Sequence, residues 1–139
     1  MTRRILFVDD EPNILKCFKR QLRNQFEADY ALGASAALEL IRSGVLYAVI
    51  VSDMRMPEMD GGQLLAEVRR LSPDTTRLML TGNPDIQTAI EADMPGLVFR
   101  LLSKPCTTIE LRMAIEAGLE QNRLVAVEKD LLENVGGLD

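Results

Sequence analysis

Four short apolar runs in this 139-residue chain end in side chains able to do chemistry. Asp9-Asp10 follow ILFV, Asp53 follows AVIVS, Thr81-Gly82 follow RLML, and Lys104-Pro105 follow LVFRLLS. Runs of this length suit buried strands. If the strands lie in one parallel sheet, these groups meet at its carboxyl edge, where such sheets bind ligands. Two ionised carboxylates roughly 5 Å apart repel by about 3 kcal/mol at an effective dielectric near 20. Asp9, Asp10 and Asp53 together therefore call for a cation. A hard dication with oxygen ligands fits, and Mg²⁺ is the usual choice where phosphate is involved. Lys104 adds a further positive charge. One Asp after a strand is ordinarily a helix cap or a solvated turn residue. Acid pair, central Asp, hydroxyl and lysine at four separate strand ends are better explained by a site.

The intervening segments are amphipathic, so the chain alternates strands and helices and is expected to form a three-layer α/β sandwich. Arg4 to Val8 reads as the first strand, with Ile14, Leu15, Phe18, Leu22 and Phe26 on one helical face after it. Ala28 to Leu32 is a weaker strand, followed by a small helix over Ala36 to Arg42. Ala48 to Ser52 is β-branched and apolar on both faces, as a central strand requires. Asp60 and Gln63 form a near capping box for a helix facing inward through Leu64, Leu65, Val68 and Leu71. Arg77 to Leu80 is the fourth strand. Asn83-Pro84 opens the next helix, Leu97 to Leu102 is the fifth strand, and Thr107 with Glu110 caps a last helix. That helix is expected to run to about Glu133, with Gly136-Gly137 ending it.

Bulk properties narrow the function classes. The chain is 47% hydrophobic and 27% charged, ordinary for one globular domain. Its net charge of −5 argues against direct nucleic-acid contact. No apolar run approaches the roughly 18 residues of a membrane span, so a cytoplasmic location with no membrane partner is expected. Cys17 and Cys106 are far apart and read as reduced thiols. Histidine is absent, which excludes a His base, a His metal ligand or a phosphohistidine on this chain.

The stretches ILFVDDEP, VIVSDMRMPEMDG, LMLTGNPD and LLSKP make residues 3 to 120 resemble the receiver domains of bacterial two-component response regulators. DMRMPEMDG after a strand is the specific signal. The resemblance implies a flavodoxin-like, doubly wound fold with a five-stranded parallel sheet in the order 2-1-3-4-5 and five helices. It implies that Asp53 accepts a phosphoryl group from a histidine kinase or phosphotransfer protein. Asp9, Asp10, Asp53 and the backbone carbonyl of Arg55 would bind Mg²⁺. Thr81 and Lys104 would meet the phosphoryl group, and Gly82 would leave room for the donor. Arg55 and Asn83 would tune the lifetime of the phosphorylated state. Pro57, Gly61 and Pro105 would set loop geometry, with Met56 and Met59 as packing. Such a chain is a signalling switch that catalyses only its own phosphorylation and slow dephosphorylation.

Two other classes compete. A phosphatase of the haloacid-dehalogenase type needs a second Asp two residues after the nucleophile, and Arg55 stands there. A receiver-like scaffold that never carries phosphate would not need the full Asp9, Asp10, Asp53, Thr81 and Lys104 set. One departure from the receiver pattern concerns signal output. The usual aromatic three residues before the lysine is Leu101 here, with Phe99 two residues earlier on the same strand face. The signal is then expected to leave through the Thr81 loop and the following helix.

Residues 121–139 extend beyond a receiver of 1–120. Leu124, Val127 and Leu131 lie at helical spacing, with Leu132 and Val135 nearby. The extension either folds on its own domain or serves as a helical linker or homodimer seam. The stretch from LTGNPD to the tail also looks similar to receivers joined to HD-type output domains.

Overall fold

The computed structural model describes residues 2–83 and 85–137. Ten elements alternate: β1 (Ile5–Asp9), α1 (Pro12–Gln21), β2 (Ala28–Leu32), α2 (Ala34–Arg42), β3 (Val49–Asp53), α3 (Gly61–Leu71), β4 (Thr76–Thr81), α4 (Ile86–Asp93), β5 (Arg100–Ser103) and α5 (Thr108–Gly137). All five strands pair in parallel, in the order β2-β1-β3-β4-β5. This is the expected doubly wound architecture.

Side-chain alternation along the strands divides the core in two. Leu6, Val8, Ile50 and Met79 pack with Leu38, Leu64 and Leu65 from α2 and α3. On the other face, Phe7, Val49, Val51 and Leu78 pack with Leu15 of α1 and with Leu111, Ile115 and Leu119 of α5. Phe7 stacks on both Phe18 and Tyr30, with ring centroids 5.2 and 5.3 Å apart. Every residue of β1 and β3 is buried, so both acid-bearing strands are held from two sides.

The structure corrects several boundaries. The apolar periodicity after β1 outlasts its helix: α1 stops at Gln21, and Phe26 reaches the same core from the loop beyond. β5 begins at Arg100, not Leu97. Leu97 is 1% exposed and fills the core under α4, and its carbonyl accepts from Arg77 Nε at 2.7 Å. Asn83 is not the cap of α4: its Oδ1 accepts from Asp85 N at 3.0 Å in a turn before the helix, the N-cap is Asp85, α4 starts at Ile86, and Pro84 lies outside the described residues. Thr107 Oγ1 accepts from Glu110 N, as expected of a cap. α5 continues past Glu133 through Gly137 instead of ending before the glycine pair. Both cysteines are free. No described helix is long and apolar enough to cross a membrane.

Candidate functional site

The three acids converge. Oxygen atoms of Asp9, Asp10 and Asp53 lie within 4.8 Å of one another. The ladder explains why. β1 and β3 are neighbours in register, Val8 opposite Ser52, so both strands deliver their acids at the same height. Asp9 is 1% and Asp53 7% exposed. Asp9 Oδ1 accepts from Glu11 N at 2.9 Å, while its Oδ2 is buried without a hydrogen-bond partner among the described residues. Burial pushes the Asp9 carboxyl up to about 6, with the Asp53 and Asp10 charges adding to the rise. A buried acceptor left unpaired is costly, and a cation among three carboxylates would satisfy it. The donor set is all oxygen, which fits Mg²⁺.

Lys104 reaches into this cluster, its Nζ 2.6 Å from Asp53 Oδ1. The backbone places it there: Lys104 N donates to Thr81 O at 2.9 Å. The Lys104-Pro105 bond that follows is cis. Thr81 is buried at the end of β4, its Oγ1 accepting from Asn83 N at 3.1 Å. Gly82 and Asn83 are exposed, and a Cβ on Gly82 would meet nothing within 4 Å, so this flank is open.

On the other flank, Gly61 N donates to Met54 O at 2.7 Å. A Cβ on Gly61 would strike the backbone of Asp53 and stand 2.9 Å from Met54 Cα. Only glycine permits that approach. Met56 and Met59 pack against the core, and Pro57 is exposed on the loop between them. Asp10 and Arg55 border one hollow of about 400 Å³ beside the acids, together with Asp60 and Ile86. Asp60 was legible as a cap, but nothing in its spacing marked it, or Ile86, as bordering the site.

Leu101 is not part of this constellation. It is half-buried and packs against the core on the α2–α3 face. Phe99 is 38% exposed, with the Arg100 guanidinium 5.4 Å from its ring.

Known proteins resemble this chain in sequence and fold. A sequence model described as response regulator receiver domain matches residues 5–116. The chain belongs to the response regulator receiver family. It is a phosphorylation-dependent signalling switch of the two-component type. The transcriptional regulatory protein GlrR of Escherichia coli is 33% identical over 118 residues, 85% of this chain and 26% of that protein. The chain thus spans about a quarter of the length of that curated relative. The structure of adenylate cyclase from Rhodopirellula baltica is 41% identical with a TM-score of 0.89, covering 96% of this chain and 98% of that one. The response regulator TrrA of Thermotoga maritima, solved in complex with Mg²⁺-BeF, is 28% identical with a TM-score of 0.72, covering 85% and 100%. Receiver domains bind Mg²⁺ at an acidic pocket, and this receiver has such a cluster.

Proposed function

We propose that Asp53 is the phosphoacceptor of this receiver and that a histidine kinase or phosphotransfer protein is its donor. The observation that carries the reading is the Lys104–Asp53 contact in the same acidic cluster as the unpartnered Asp9 Oδ2. An Asp53 oxygen attacks the donor's phosphorus, the phosphorus–nitrogen bond breaks, and the imidazole leaves with the electron pair and takes up a proton. A carboxylate nucleophile attacks through an oxygen with no hydroxyl proton for a general base to remove. The transition state asks chiefly for positioning and for charge on the equatorial oxygens. Lys104 supplies one cation there and the Thr81 hydroxyl one donor. Asp9, Asp10, Asp53 and the Arg55 carbonyl would hold Mg²⁺, which supplies further positive charge to those oxygens when bound.

Arg55 and Asn83 are exposed beside the site and in this reading set the lifetime of the phosphorylated state. Residues 1–120 act as the receiver and 121–139 as a helical extension through which two copies associate. The switch works in the cytoplasm and does no chemistry beyond its own phosphorylation and dephosphorylation. Its charge of −5 supports a chain that does not itself contact nucleic acid. Intact mass after incubation with Mg²⁺ and acetyl phosphate tests the central claim. One added phosphoryl group is expected on the wild type and none on Asp53→Asn. Equal labelling of both would place the acceptor elsewhere.

A further inference from the structure

Two surfaces of this receiver are unpartnered, and they are complementary. The first is a concavity of about 470 Å³ between the second half of α1 and the edge strand β2. Lys16, Lys19, Arg20 and Arg23 surround it, and Phe26 and Tyr30 contribute to its floor. All four cations are at least partly exposed, and among the described residues none has a carboxylate within 4.0 Å. Lys19 Nζ stands 6.0 Å from the Tyr30 ring centroid. Four unpaired cations in one place are unexpected in a chain of net charge −5. They also lie far from the phosphoryl chemistry. α1 starts beside the Asp9 end of β1 and runs back toward the start of β2, so its second half sits at the opposite edge of the sheet.

The second surface is the tail of α5. Leu131, Leu132 and Val135 are 60%, 66% and 65% exposed, and Leu124 and Val127 are exposed as well. At about 100° per residue these five span an arc of roughly 140°. Glu128 falls inside that arc, and Asp130 lies about 60° outside it. Neither has a cation within 4.0 Å among the described residues. The tail thus carries an apolar face with one free carboxylate on it and another on its flank, and the concavity is apolar with cations.

We propose that the tail of one copy docks in the α1–β2 concavity of a second copy. The inference rests on the tail-mediated association proposed above and names the surface that receives the tail. A chain cannot fill its own concavity. Asn122 Nδ2 donates to Asp74 O at 2.8 Å, and Lys129 Nζ lies 3.4 Å from Asp74 Oδ2. Asp74 leads into β4, three strand spacings from β2, or about 14 Å. A continuous helix tied there does not turn back. α1 and α5 pack on the same sheet face, and each runs against the strands, so tail and concavity emerge at the same end. Two copies meeting end to end about a twofold axis therefore exchange tails reciprocally, which closes the assembly. A tail-to-tail seam alone would comprise only about two heptads, short of the roughly three to four that sustain a coiled coil. It would also leave the cations of α1 uncovered.

Sedimentation of the full chain at low salt tests this, with circular dichroism to confirm folding of each variant. The wild type is expected to form a dimer that weakens as salt is added. Lys19→Glu with Arg23→Glu, and separately Glu128→Lys with Asp130→Lys, should each weaken it at least about tenfold. All four changes in one chain should restore it. A wild type that stays monomeric removes both the association and its proposed surface. A dimer indifferent to the α1 reversal leaves association through the tail standing and overturns the docking site. Failure of the four-fold variant to recover overturns it too.

Discussion

The helices that follow the two halves of the site are seated very differently. α3 comes after Asp53, buries Gly61, Leu64, Leu65 and Val68, and begins with a complete capping box between Asp60 and Gln63. α4 comes after Thr81, buries no residue, and receives no side-chain hydrogen bond from its N-cap Asp85. Between them lies a hollow of about 420 Å³ bordered by Met54, Ala66, Ile86, Ile90 and Leu97. The side carrying Asp53 is therefore fixed, and the side carrying Thr81 leads into a helix with little to hold it. A small shift at Thr81 can move α4 at low cost, because a segment with few buried apolar contacts lies near the low-stability end of its protein. This suits a receiver whose Leu101 is packed in place of a mobile aromatic.

The largest expected effect tests that contrast directly. Leu64→Ala removes a fully buried side chain and should cost about 3–5 kcal/mol in urea denaturation. Ile90→Ala removes a half-buried one from α4 and should cost less than about 1 kcal/mol. Equal losses would mean that α4 is as firmly held as α3, and the division of the site would fail.

The same contrast explains what the sequence made legible. β1, β3 and α3 were readable because burial on all sides leaves an unbroken apolar run or a clean 3.6-residue stripe, and the acids fall at the ends of those runs. Asp60 and Gln63 satisfy backbone groups within one turn, so their spacing alone reveals the cap. The start of β5 was not readable. Leu97 looks like strand, yet it is recruited into the core beneath α4, a tertiary demand that local pattern does not carry. Phe26 misled in the opposite sense: it continues the α1 stripe by spacing and reaches the same core after the helix has ended. The unpartnered Asp9 Oδ2 and the α1 concavity depend on what surrounds a residue in space, which sequence spacing does not encode.

A second effect sharpens the contrast from the rigid side. Asp9 ionises near 6 in the native protein against 3.8 for an ordinary Asp. Between those values the native chain holds a proton that the unfolded chain has released. Stability of the metal-free protein therefore falls as pH rises through this window, and the loss is complete above about pH 6. A rise of this size corresponds to about 3 kcal/mol. Denaturation with chelator across this pH range should show that fall for the wild type and a flatter profile for Asp9→Asn. Mg²⁺ added at neutral pH should recover stability in the wild type alone. Parallel profiles for the two proteins would mean that Asp9 carries no such burden.

The smallest effect separates the two helix starts. Asp60 accepts from Gln63 N at 2.8 Å, and Gln63 Oε1 accepts from Asp60 N at 3.0 Å. Asp60→Ala removes one of these bonds and should cost about 1 kcal/mol. Asp85 makes no comparable bond, so Asp85→Ala should cost only a few tenths of a kcal/mol. Amide exchange gives the finer reading. Loss of the Asp60 cap should speed exchange at the first turn of α3, starting from a slow rate. Loss of Asp85 should change little in α4, which exchanges quickly already. If α4 proved slow in the wild type and fast in Asp85→Ala, its start would be held as α3 is held. The free movement assigned to the Thr81 side would then need another source.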